Sequence, residues 1–305
     1  MLDVARLRVL AAVARHGSVT AAARDLHYAQ PSVSHHLARL EAETGARLVQ
    51  RAGRGIRLTE AGRMLAARAE EILGRLDAAE AELAAHVGLR RGRVRLAAFP
   101  SALGTVVPVA VRRLEEVAPG VELSLTEAEP PEGLAMLRSG EVDVALVFRH
   151  GDDPDEGTDS DLRLAHLLDE AIYMVTRKGR RSRSRSRGPR TDLATFSDES
   201  WVAGCERCRA DLVRRCDAAG FAPRIAYTTD DYVAVQALVA AGVGVTTLPA
   251  LALTASRHPG VQTDRLAGAG RHVAAATYGQ PPDPPATAAL VSALQEACRG
   301  FAPAF

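Results

Sequence analysis

The sequence predicts an α/β chain in three parts: an N-terminal winged helix-turn-helix, one long linker helix, and a body of two α/β subdomains. Three observations carry this. Thr20-Ala-Ala-Ala-Arg-Asp-Leu26 and Gln30-Pro-Ser-Val-Ser-His-His-Leu37 make two short helices around a tight turn. Leu65, Ala69, Ile72, Leu76, Ala79 and Leu83 recur at alternating spacings of four and three, a heptad seam. From Arg93 onward, apolar strand runs alternate with helical segments.

Upstream of the helix pair, Leu7, Leu10, Val13 and Ala14 form an apolar stripe at helical spacing, so a third helix covers it. In the second helix of the pair, Val33, Leu37 and Leu40 share one face. Pro31 suits its first turn, where a missing N–H would have no partner. Ser32, Ser34, His35 and Arg39 fall mostly on the other face. A helix with an apolar inner face and short hydrogen-bonding side chains at its outer N-terminal end suits a DNA major groove. Spacing alone is equally consistent with an ordinary antiparallel helix pair. The flank decides: Arg47–Leu58 reads as two short strands around a glycine turn, with Arg51, Arg54 and Arg57 exposed. Such a basic wing rests on phosphates or in a minor groove.

Charge follows the same order. The net +1 hides 16 basic and 10 acidic side chains in residues 1–95, against 22 and 27 in the remainder. A basic head on an acidic body fits nucleic-acid binding at one end. A length of 305 residues suits two or three compact units. No stretch approaches the roughly 18 apolar residues of a membrane span, and Arg6, Arg8 and Arg15 interrupt any apolar signal core. A cytoplasmic protein is expected, with its four cysteines as thiols.

The order Gly17-Ser18, Thr20–Leu26, Gln30-Pro-Ser-Val-Ser34, Leu40-Glu41, Gly45-Ala-Arg-Leu48 and Leu58-Thr-Glu-Ala-Gly62 resembles the LysR-type transcriptional regulators. The match is dense over residues 1–65 and looser but collinear beyond. It departs at Val49-Gln50, where the family has a bulky aromatic or Leu followed by a charged residue. The resemblance implies a DNA-binding domain over 1–58, a dimerising linker helix over 59–88 and an effector-binding domain over 93–305. That last domain resembles periplasmic binding proteins, with subdomain I at about 93–168 and 272–305, subdomain II at about 169–271, and two chain crossings. It implies DNA contacts from Thr20, Gln30, Pro31, Ser32, Ser34, His35 and Arg39, with Arg51 and Arg54 in the wing. The implied partners are promoter DNA, a small-molecule effector, RNA polymerase, and further copies of the chain in a homodimer or homotetramer. A dimer would set two recognition helices on half-sites one DNA turn apart. A solute-binding protein shares the body fold but lacks such a head. No nucleophile elbow, metal triad or phosphate loop points to an enzyme, and no cofactor or metal is expected.

In the body, strands are expected at Val94–Ala98, Val121–Thr126, Val142–Phe148, Ala171–Val175, Trp201–Ala203, Ile225–Tyr227, Gly244–Thr247 and Val273–Thr277, in parallel βαβ units. Ligands in such folds lie at carboxyl ends of strands and helix N-termini. That nominates Pro100-Ser101-Ala102, Phe148-Arg149, Gly204-Cys205 and Thr228-Thr229-Asp230. Arg149 points to an anionic effector and Phe148 to one with an apolar part, although Ser101 and Thr229 also suit helix caps and Phe148 a core. Cys205-Glu-Arg-Cys208 has metal-ligand spacing without a fourth ligand nearby. Its alternative is a thiol sensor that uses Cys205, Cys208 and Cys216, because peroxide-responding relatives place a reactive pair in about this region. Arg207, Arg209 and a helix N-terminus would lower a thiol pKa there. The Arg/Ser run from Lys178 to Arg187 reads as a solvated loop, the acidic Gly151–Asp161 segment does not match a calcium loop, and Gly242-Val-Gly244 reads as a turn from helix to strand.

Overall fold

A computed structural model of the chain describes residues 2–52, 55–86, 92–151, 161–179 and 192–301. It divides into two compact units, Met1–Arg90 with Ala135–Glu141, and Arg91–Leu134 with Val142–Phe305. Arg54, the end of the linker helix at Val87-Gly88, most of the Gly151–Asp161 segment and most of the Arg/Ser run lie outside the described residues.

Local chemistry accounts for most of the first unit. Helix α1 (Val4–His16) begins at Asp3, whose carboxylate accepts the Arg6 N–H at 3.1 Å, and ends at Gly17 with φ +61°. Helix α2 (Val19–Asp25) is capped by the Ser18 hydroxyl, and α3 (Gln30–Thr44) carries Pro31 in its first turn and ends at Gly45 with φ +68°. Side-chain caps and left-handed glycines are the usual start and stop of a helix. Leu10, Val13, Ala22, Val33, Leu37, Leu40 and Leu48 bury together between the three helices. Strands β1 (Val49–Ala52) and β2 (Gly55–Leu58) form the antiparallel wing. Glu41 fastens it to α3, because its Oε1 accepts the N–H groups of Leu48 at 2.7 Å and Val49 at 3.2 Å. Thr59 then starts α4 (Glu60–His86): its hydroxyl donates to the Arg47 carbonyl at 2.7 Å and accepts the Gly62 N–H at 3.0 Å. A Cβ on Gly62 would stand 2.0 Å from the Leu48 carbonyl oxygen, so the wing can meet the helix only at glycine.

The second unit contains β3 (Arg93–Ala98), α5 (Pro100–Leu103), α6 (Val106–Val117), β4 (Glu122–Glu127), α7 (Pro130–Arg138), β5 (Val144–His150), β6 (Leu162–Arg177), a 3-10 turn at Leu193–Phe196, β7 (Ser200–Ala203), α8 (Glu206–Ala218), β8 (Arg224–Thr228), α9 (Tyr232–Ala240), β9 (Thr246–Pro249), α10 (Ala250–Ala255), β10 (Val261–Tyr278) and α11 (Pro285–Arg299). The residues of α7 from Ala135 onward group with the first unit. Six strands form one sheet in the order β4-β3-β5-β10-β6-β9, and β7 and β8 form a parallel pair. One buried group gathers Leu96, Leu114, Leu146, Phe148, Leu290 and Leu294, and another gathers Ile172, Met174, Trp201, Leu212 and Cys216. The long strands β6 and β10 run past both.

Two expectations need correction here. Only β4, β3 and β5 form a parallel set in the main sheet; β10 is antiparallel to β5 and β6, and β6 to β9. Both long strands also extend well beyond the apolar runs that marked them, because exposed polar residues such as His166, Asp169, Asp264, Arg265 and His272 interrupt their apolar pattern. Helices α5 and α10 are too short to show helical periodicity. Among the described residues, no helix is long and apolar enough to cross a membrane.

Candidate functional site

Two surfaces hold the residues singled out from the sequence. On the first unit, Thr20, Gln30, Pro31, Ser32, Ser34, His35 and Arg39 are all exposed, while Val33, Leu37 and Leu40 are buried beneath them. The apolar stripe thus orients α3 and leaves its polar face outward. The His36 ring stacks on Tyr28 at 5.8 Å, which ties the helix start to the turn before it. Arg51 stands opposite Ile56 in the wing, and Arg57 is exposed on β2.

The proposed dimer seam divides in two. Ala69 is fully buried against Leu7 and Ala11 of α1, and Leu65 packs on the same group. Ala69 is corrected from an intermolecular to an intramolecular contact, because α1 lies along the first turns of α4 and covers it, while Leu65 is only half-buried there. Ile72, Leu76, Ala79 and Leu83 farther along the helix remain exposed.

The second unit contains a cavity of about 50 Å³, room for a few ordered waters, lined by Phe99, Ser101, Glu129, Phe148, Cys205, Cys208 and Arg271 among others. Arg271 is its centre. The guanidinium donates from Nε to Glu170 Oε1 at 2.7 Å and to the Ser101 hydroxyl at 3.1 Å, and it lies 4.1 Å from the Phe148 ring centroid. Glu170 Oε2 accepts the Leu251 N–H at 2.7 Å. Phe99 meets Phe148 edge-on at 5.0 Å.

On the opposite wall, Cys205 precedes α8 and Cys208 lies in its first turn, with the two Sγ atoms 3.2 Å apart. The Cys205 thiol donates to Cys208, and that bond, the His150 ring and the Arg271 charge hold the Cys208 thiol well below the usual thiol range. Cys205 moves the other way, raised by its role as donor to Cys208 and by burial. His150 Nδ1 lies 3.2 Å from the Asp211 carboxylate, which accepts from Arg215 Nε at 2.7 Å. Burial, with the Cys208 charge added, pushes Glu129 up to about 7. Its Oε2 is buried without a hydrogen-bond partner among the described residues.

Pro100, Ser101, Phe148, Cys205 and Thr229 line this cavity as the strand-end argument expected. Arg149 does not. It follows Phe148 in β5 and points to the other face of the strand, where it is exposed. Ala102 is buried in the hydrophobic core and Thr228 is exposed at the end of β8, so neither reaches the cavity. Cys216 also drops out of the thiol set. It lies eight residues along α8 from Cys208, roughly 12 Å at helical rise, and is buried beside Trp201, with burial pushing its thiol up to about 11. Arg207 and Arg209 are not what lowers the Cys208 thiol; Cys205, His150 and Arg271 do so. Sequence reading missed Arg271, Glu170 and Glu129. The only signal was a charged residue on each long strand, Glu170 and Arg271, at positions whose alternate neighbours are apolar.

The family model for the LysR substrate binding domain matches residues 88–299, and that for the bacterial regulatory helix-turn-helix protein, lysR family, matches residues 4–63. The HTH-type transcriptional regulator TfdS of Cupriavidus pinatubonensis is 29% identical over 279 residues, covering 89% of this chain and 90% of that protein. A probable hydrogen peroxide-inducible genes activator of Mycobacterium avium is 31% identical over 261 residues, 83% of this chain and 80% of that one. Among solved structures, full-length CbnR complexed with the target DNA has the same fold, with a TM-score of 0.64 and 24% identity over 97% of this chain and all of that one (100%).

Proposed function

The chain belongs to the LysR family of transcriptional regulators, with a DNA-binding helix-turn-helix and an effector-binding domain in one polypeptide, and on that premise we propose how each part works. Helix α3 enters the major groove of promoter DNA, with Gln30, Ser32, Ser34 and His35 toward base edges and phosphates. Thr20, Pro31 and Arg39 flank them, and Arg51 and Arg54 in the wing hold the backbone. The observation that carries this reading is the single exposed polar face of α3, held out by Val33, Leu37 and Leu40. Exposed Ile72, Leu76, Ala79 and Leu83 supply the seam to a second copy. A mobility shift with DNA from upstream of the chain's own coding region tests it. Ser34→Ala and Gln30→Ala are expected to weaken specific binding, by about 1–3 kcal/mol where the side chain makes a bidentate pairing with a base. Arg39→Ala is expected to weaken all sequences alike and to flatten the salt dependence. Equal affinity of wild type and variants for the promoter would refute the assignment.

The signal is read in the cavity around Arg271. Arg271 is already matched by Glu170, and Arg149 faces away. The chemistry of the walls therefore favours a small, weakly charged molecule over the anion suggested by the sequence. Binding there biases the conformations of the effector-binding domain and, through the oligomer, the heads on DNA.

A second reading is favoured by one specific observation, the 3.2 Å between Cys205 and Cys208 Sγ, with Cys208 the thiol that its neighbours hold low. A thiolate attacks a hydroperoxide O–O bond, leaving a sulfenic acid and releasing an alcohol or water. The Cys205 sulfur, deprotonated as it attacks, then displaces water to close a disulfide, so two thiols are oxidised and one peroxide is reduced. Thiol counting before and after hydrogen peroxide distinguishes the readings. Loss of two thiols in wild type, and formation of no disulfide in Cys208→Ser, supports the redox sensor. Four unchanged thiols would refute it.

A further inference from the structure

The two long strands carry a cluster on their outer face for which the signal cavity has no use. Side chains alternate along a regular strand, so residues three apart face opposite ways. His166 and Asp169 of β6 break that rule. Leu168 pairs with Val273 and His166 with Ala274, which leaves Leu167 as the extra residue of a bulge. Leu167 and Leu168 are both buried, while Leu164, His166 and Asp169 are all exposed. The alternation therefore changes phase at the bulge and turns both side chains to one face. His272 stands directly opposite Asp169 on β10. Asp169 Oδ1 lies 2.9 Å from His166 Nε2 and 2.6 Å from His272 Nδ1. The three ligand atoms fall within 4.8 Å of one another, and their side chains are open to solvent.

We infer that His166, Asp169 and His272 form a binding site for a divalent transition-metal cation of the zinc or nickel class. Two imidazoles and one carboxylate are a donor set for borderline ions; calcium and magnesium prefer all-oxygen sites. The three donors converge from one side, so solvent completes the coordination, as in zinc sites with three protein ligands. In the free chain both ring nitrogens lie at hydrogen-bond distance from Asp169 Oδ1, so the ion takes the place of those contacts and each ring carries its proton on the other nitrogen once the ion is bound. Hydrogen-bonded strands hold the donors in place before the ion arrives.

The site stands back to back with the cavity. Glu170 and Arg271 are the next residues on the same strands, paired with each other across the sheet and facing the opposite way. A cation that clamps β6 to β10 at Asp169 and His272 therefore stiffens the backbone carrying that buried pair. The inference is independent of which signal the cavity reads.

Calorimetric titration of chelator-treated full-length Cys205→Ser/Cys208→Ser protein with zinc chloride, then nickel chloride, tests it with the dithiol silenced. One cation per chain is expected. His272→Ala or Asp169→Asn should weaken binding at least about tenfold, since even outer partners of metal ligands are worth that much, and the His166→Ala/His272→Ala pair should abolish it. All three side chains are exposed, so the variants should unfold with the parent's Trp201 fluorescence profile, which keeps a loss of binding interpretable. No saturable binding at millimolar cation, or undiminished binding in the double variant, would overturn the assignment.

Discussion

Substituting Arg271 by methionine tests whether the cavity is organised by a buried ion pair. The Arg271 and Glu170 side chains are 3% and 1% exposed. In the wild-type chain, Glu170 receives the guanidinium on one oxygen and the Leu251 N–H on the other, while Arg271 also reaches Ser101 and lies over Phe148. Arg271→Met leaves a carboxylate out of water with one N–H donor. Removing one partner of a buried pair costs about 3–5 kcal/mol, because the other charge stays unpaired. The double variant Arg271→Met/Glu170→Met removes both charges and leaves the Leu251 N–H as the main unsatisfied group. Its expected cost is about 1–3 kcal/mol. The single variant should therefore be less stable than the double. Urea unfolding read by the fluorescence of Trp201, the one tryptophan in the sequence and fully buried in the same unit, measures both. A single variant that loses less than about 1 kcal/mol, or a double variant less stable than the single, would refute the reasoning.

Three more outcomes are expected. Glu129 is raised to about 7 in the folded chain, mainly by burial, so the folded state holds its proton where the unfolded chain releases it. That stabilisation is fully present below the unfolded carboxylate range and is lost as pH rises through about 7; Glu129→Gln should show a smaller fall in stability from pH 5 to pH 8 than wild type, and an identical fall would discount the buried carboxyl. Leu76→Arg, at an exposed seam position, should lower the mass seen by light scattering while α1 and α4 stay packed; Ala69→Glu, fully buried against α1, should lower stability instead. Unchanged mass in Leu76→Arg would remove the seam. Gly62→Ala should destabilise the winged head by about 1–3 kcal/mol, the usual range for overpacking, because its Cβ would meet the Leu48 carbonyl oxygen at 2.0 Å; DNA affinity at elevated temperature would report it.

How much was legible differs between the two units for a physical reason. The head is written in short-range chemistry. Ser18 caps the helix it precedes, Gly17 and Gly45 end theirs, Pro31 opens α3, and Thr59 contacts Gly62 three residues on. Such features lie within a few residues and show in the sequence directly. The cavity is written in long-range chemistry. Arg271 meets Glu170 across 101 residues and Ser101 across 170. The strand ends nominated from the sequence do line the cavity, but their phase was hidden: Phe148 and Arg149 are adjacent, and only the packed sheet shows that the ring faces in and the guanidinium out. The same limit hid the outer cluster, because a bulge at Leu167 cannot be read from an alternation that it interrupts.

By itself, then, the sequence determined the winged head, the exposed polar face of its second paired helix, the long helix and the alternating α/β body, since each follows from residue pairs close in the chain. Tertiary structure alone decided three things. Ala69 of the seam serves the chain's own fold, Cys208 has Cys205 and not Cys216 as its partner, and the arginine in the cavity is Arg271. Those choices rest on strand register and on which neighbours exclude water, and both are settled only when distant segments pack.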